Sequence, residues 1–177
     1  MTQPYTSRYV PADVLTVHHY IFGQLKVHQS GLMGMLSDTT SSYVEVDDAS
    51  MAMIHKSDKV INYTPVLWMV KAQVVVVCLS KRDYVGLQGI LRGGYGRLQP
   101  YPVQITTATY DISGTLEWSG RFEFSALMSE GTNPFFLLTD TVVTAPLFPA
   151  LHMESPVALV NRNFLETFII VKKSGEA

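Results

Sequence analysis

The chain is nearly without cysteine. Cys78 is its only thiol, so no disulfide can form within the chain, and its apolar neighbours mark it as buried filler. Charge is also scarce: 16% of the residues are charged and the formal net charge is −2. No global field therefore draws the chain toward nucleic acid or an anionic membrane. Long apolar runs are missing too. The longest, Pro65 to Leu79, is interrupted by Lys71 and Gln73. It falls short of the roughly 18 apolar residues that a membrane-spanning helix needs. The opening Met-Thr-Gln-Pro-Tyr-Thr-Ser-Arg has no signal-peptide core, so the expectation is a soluble, cytoplasmic protein with no membrane partner. Neither a Gly-x-Ser-x-Gly elbow nor a phosphate-binding Gly-x-x-x-x-Gly-Lys occurs. The chain reads as a non-enzyme, with no catalytic residue, no cofactor and no metal.

What the chain does have is apolar residues, 47% of the total, and it has them in a duplicated order. Pro65-Val-Leu-Trp-Met-Val-Lys-Ala-Gln-Val-Val-Val-Val-Cys-Leu79 and Pro156-Val-Ala-Leu-Val-Asn-Arg-Asn-Phe-Leu-Glu-Thr-Phe-Ile-Ile170 are the same pattern. Each opens on Pro-Val, is broken by one cation, and resumes. That predicts two strands on a tight turn, with Lys71 or Arg162 at the turn. An offset of 91 also lays Pro11 on Pro102, Thr16 on Thr107, Gly23 on Gly114 and Leu25 on Leu116. With one inserted residue, Tyr43 falls on Phe135 and Asp48 on Asp140. Matches at glycine, proline and bend aspartate, all in one order, indicate an internal repeat.

The expected units are residues 8–83 and 99–173, with a Gly-rich linker at 84–98. Within the first, Val14 to Phe22 reads as a strand by its β-branched and aromatic content. Gly23 kinks it, and Gln24 to His28 alternates as a half-buried strand. Ser30 to Ser37 reads as a helical turn or a loop. Tyr43–Val46 and Ser50–Ile54 flank a bend at Asp47-Asp48, and His55 to Asn62 reads as a loop. The second unit repeats this, with a helical turn in Arg121–Ser129. The fold class is therefore all-β: two tandem, bent, five-stranded barrels with short helical turns.

Gly-x-Leu, then Phe-Phe-Leu-Leu-Thr-Asp140, then Pro156-Val-Ala-Leu-Val-Asn-Arg162 and a last apolar strand, resembles small bacterial proteins of the Sm-like group. The resemblance covers most of the second unit and, more weakly, the first. It implies five-stranded barrels that pair strand edges with their neighbours into rings, many of which bind RNA. The basic Arg-Gly turn of that group is replaced here by Val70-Lys-Ala-Gln73 and by Asn161-Arg-Asn163. The resemblance thus implies the barrel more than the RNA site.

Two functional readings follow. The first is a non-catalytic scaffold, a homo-oligomer built through strand edges, as a low-charge, apolar surface favours. The second is RNA or nucleotide binding. Lys71 and Arg162 would meet phosphates, Asn161 and Asn163 would read bases or ribose, and Arg92 and Arg97 would add a basic Gly-rich loop. The alternative for each cation is an ordinary turn residue. His18, His19 and His28 are too awkwardly placed for a metal site, since successive strand residues face opposite ways. Asp38, Asp47, Asp48 and Asp58 sit in separate turns, where aspartate serves local hydrogen bonds.

Overall fold

The computed structural model describes residues 8–28, 30–86, 97–129 and 133–171. The first half contains β1 (Arg8–Leu15), β2 (His19–Val27), α1 (Gly31–Ser37), β3 (Tyr43–Met53), β4 (Val60–Val70) and β5 (Val76–Leu79). The second contains β6 (Leu98–Thr106), β7 (Asp111–Ser119), α2 (Phe124–Ser129), β8 (Phe135–Thr144), β9 (His152–Asn161) and β10 (Thr167–Ile170). A single 3-10 turn joins β4 to β5 at Lys71–Gln73 and β9 to β10 at Arg162–Phe164. The protein is all-β, and among the described residues no helix is long and apolar enough to cross a membrane.

The ten strands of the described residues lie in one antiparallel sheet, in the order β10-β6-β7-β8-β9-β5-β1-β2-β3-β4. This corrects the expectation of two separately closed barrels. Within each half the order is the same, fifth-first-second-third-fourth. The outer edge of the second half's fourth strand, β9, is spent on β5 of the first half. A strand with a partner on each side has no edge left with which to close its own unit.

Two apolar cores result. One gathers Val10, Val14, Leu25, Leu32, Val46 and Val77 of the first half. The other gathers Ile105, Tyr110, Ile112, Leu127, Leu138 and Val143 of the second. Strands β5 and β9 feed both, because alternate side chains point to opposite faces. Val77, Leu79, Val157 and Leu159 enter the first core, whereas Val76, Cys78, Ala158 and Val160 enter the second.

The repeated bend has a clear cause. The pairing of β2 with β3 slips by one residue between Phe22 and Gln24, and that of β7 with β8 slips between Ser113 and Thr115. Asp48 and Asp140 take up the extra residue at φ 48° and 49°, a left-handed conformation that aspartate tolerates better than bulky residues. Opposite them, a Cβ on Gly23 would lie 2.9 Å from Asp47 O, and one on Gly114 would lie 3.1 Å from Thr139 O. Glycine lets the crossing backbones approach, and the bulge steepens the local twist.

The strand expected at Val14 to Phe22 is instead a hairpin. Thr16 accepts a hydrogen bond on Oγ1 from His19 N at 3.0 Å, and its own N–H donates to His19 O at 2.9 Å. Thr107 holds Tyr110 in the same way. A threonine hydroxyl that completes a turn outweighs the strand preference of its neighbours.

Candidate functional site: two free edges and a lysine cleft

The 3-10 turns place the two cations. Lys71 N donates to Ser42 O, and Arg162 N donates to Pro134 O. The side chain of each then reaches the end of the nearby helix. Lys71 Nζ donates to Asp38 O at 2.8 Å, and Arg162 Nη1 donates to Leu127 O at 2.9 Å. Carbonyls at a helix C-terminus lack intrahelical donors and carry partial negative charge, so a cation there is well matched. The sequence pattern thus marks a shared structural bond, turn to helix. Burial lowers the pKa of Lys71, opposed in part by the Asp38 charge.

Lys71 also lines a cleft of about 290 Å³ with Lys26, His28, Asp38, Tyr43 and Glu45. Carboxylates and bases both line it, unlike the one-sign stripe that phosphate chains select. The other predicted contacts among the described residues do not line it. Asn161 is 1% exposed. Its Nδ2 donates to Val74 O at 2.9 Å and its Oδ1 accepts from Asn163 N at 3.1 Å. Both ends of that amide are engaged, so it acts as a clamp between the halves. Asn163 and Arg97 are exposed; Arg92 lies outside the described residues. His28 borders the Lys71 cleft, while His18 and His19 stack edge to face at the β1–β2 turn. Among the described residues no three His, Cys, Asp or Glu side chains gather in a way that could hold a metal ion. Burial pushes the Cys78 thiol up to about 12, which disfavours a reactive thiolate.

The sheet edges are a stronger candidate. Strand β4 bears Val60, Ile61, Tyr63, Trp68 and Val70 as exposed residues, and β10 bears Ile169 and Ile170, followed by exposed Val171. Together these are more than half of the large exposed apolar side chains among the described residues. Neither edge carries a charged residue within its strand. Charge is one usual guard of an unpaired edge; the guards these edges do carry are Pro65 in β4 and the shortness of β10.

The seam between β5 and β9 is what such edges form when paired. Val76, Val77, Cys78 and Leu79 face Val160, Leu159, Ala158 and Val157. Asn161 N donates to Val75 O at 2.9 Å. At the other end Ser155 Oγ donates to Leu79 O at 2.8 Å and accepts from Leu79 N at 3.2 Å. Tyr110 Oη donates to Thr16 O, and Arg82 spans to Glu117 and Asp140 at 3.9 Å each. The sequence signal for Ser155 was its place before Pro-Val, where Thr64 stands in the first copy. Comparison of the chain with family models, with curated proteins and with solved structures finds no match.

Proposed function

We propose that the chain is a non-catalytic, cytoplasmic assembly module. In this reading residues 8–83 and 99–173 are two Sm-like, bent five-stranded units joined by 84–98. They build a homo-oligomer by strand addition. One observation carries the reading: the fourth strand of one unit already pairs with the fifth strand of the other inside the chain. The counterparts of those two strands, β4 and β10, end the sheet on either side among the described residues. One molecule offers one of each, so copies add head to tail and form a ring if the rotation closes. Light scattering across a concentration series tests this. A multi-chain species of defined mass is expected, and a strict monomer at high concentration would end the proposal.

RNA binding by such an oligomer, through the Lys71 and Arg162 turns, is the second reading. Lys71, Lys26 and His28 share one cleft, which supports it, and Asp38 and Glu45 in the same cleft count against it. The engaged Arg162 guanidinium and the net charge of −2 weigh against it. It expects RNA retention that falls steeply with salt and weakens in Lys71→Ala and Arg162→Ala. Absence of retention at low salt removes it.

A further inference from the structure

We infer that the Thr64 hydroxyl fastens one chain to the next by hooking the free end of β10, in the register of the in-chain seam. This rests on the assembly reading above and adds to it a residue, a bond and a strand register.

At the end of the seam, Leu79 with Val157 is the last in-register pair of β5 and β9. Ser155 fastens that end. Its hydroxyl is buried, lies 2.7 Å from Val157 O in its own strand, and engages both the C=O and the N–H of Leu79. Thr64-Pro65-Val66 repeats Ser155-Pro156-Val157 at the same offset of 91. Thr64 Oγ1 already donates to Val66 O at 2.9 Å, the own-strand part of the Ser155 arrangement. A threonine has few χ1 choices, so the hydroxyl is held where a partner strand would meet it.

The partner groups are identifiable. At the offset of 91, Leu79 corresponds to Ile170. Val171 N donates to Pro102 O, toward β6. Backbone polar groups alternate in direction along a strand, so the N–H and C=O of Ile170 face away from β6, on the open side. The in-chain register then sets Thr167, Phe168, Ile169 and Ile170 of one chain against Met69, Trp68, Leu67 and Val66 of the next. Thr64 of that next chain meets the backbone of Ile170.

Two measurements test this on the full chain. In a Cys78→Ala background, Leu67→Cys with Ile169→Cys places thiols on directly opposed residues. Their Cα separation of roughly 4.5–5.5 Å suits a disulfide. Oxidation is expected to link chain to chain in a ladder that reductant collapses. Leu67→Cys with Thr167→Cys, two residues out of register, is expected to stay unlinked. Separately, Thr64→Val keeps the shape and removes the hydroxyl. It is expected to raise the dissociation concentration of the oligomer about tenfold, as loss of one buried hydrogen bond does. Thr64→Ser should retain most of the affinity, and the dilute chain's Tm should be the same in all three. If the chain assembles but the out-of-register pair links in place of the other, or Thr64→Val leaves dissociation unchanged, the inference is overturned and assembly stands. If no oligomer forms at any concentration, both fall.

Discussion

Strands β9 and β4 hold the same place in the two halves, yet their surroundings are opposite. Val157, Ala158, Leu159 and Val160 of β9 are wholly buried, covered by β5 on one side and β8 on the other. Their counterparts on β4 are Val66, Leu67, Trp68 and Met69, and Trp68 is 65% exposed. Asn161 clamps the seam, whereas its counterpart Val70 stands 50% exposed. The difference shows that apolar content here follows the strand's place in the unit and not its exposure. An edge that remained in water would gain from charge, and β4 has none.

Four changes would break or sharpen that comparison. The largest effect is expected at its centre. Leu159→Ala should cost about 3–4 kcal/mol of stability, because it empties a fully packed site. Trp68→Ala at the equivalent position should cost under about 0.5 kcal/mol in dilute protein, while weakening self-association. Urea denaturation at low concentration measures both, and equal costs would show that the two strands are not in different states.

Next come the crossing points. A Cβ at Gly23 meets Val46 Cγ1 at 2.5 Å and backbone Asp47 O at 2.9 Å, whereas at Gly114 the nearest atoms lie at 3.1 and 3.2 Å. Gly23→Ala should therefore cost about 2–3 kcal/mol and Gly114→Ala about 1 kcal/mol. The reverse order in thermal melts would mean that the second half is the more tightly crossed.

Alkali offers a third contrast, since Cys78 has Ile169 as its counterpart and only one of them titrates. An unfolded thiol releases its proton near 9.0, while burial holds the folded one to about 12. Between those values the folded state binds the extra proton, so its stability falls as pH rises. The expected loss is about 1.4 kcal/mol per pH unit above 9. Tyr20 and Tyr110, raised mainly by burial, add to it above 10. Denaturation midpoints at pH 8, 9 and 10 should fall accordingly, and Cys78→Val should flatten the step from 9 to 10.

The smallest effect is expected at the bends. Asp48→Gly and Asp140→Gly relieve a left-handed residue at the cost of chain entropy, a net change of a few tenths of a kcal/mol. The two should agree within about 0.3 kcal/mol, because the backbone is bent alike in both halves. Unequal values would reveal a strain that only one half carries.

Backbone-driven features are legible in the sequence. Gly23 with Gly114, Asp48 with Asp140 and the cation after each apolar run recur because steric demands recur. The hairpin at Thr16 is not legible, since Thr-Val-His-His is also good strand composition. Nor is the role of Asn161. Beside Arg162 it reads as a polar group awaiting a ligand, and only the fold brings Val74 O to its amide. The Lys71 cleft mixes charges from β2, β3 and the helix end that no linear pattern joins.

Because β5 and β9 belong to one polypeptide, their contact forms at an effective concentration on the order of millimolar, however far the protein is diluted. Contacts between molecules have no such tether. Dilution would then stop at paired units and never reach lone ones, so growth and disassembly alike would proceed two units at a time.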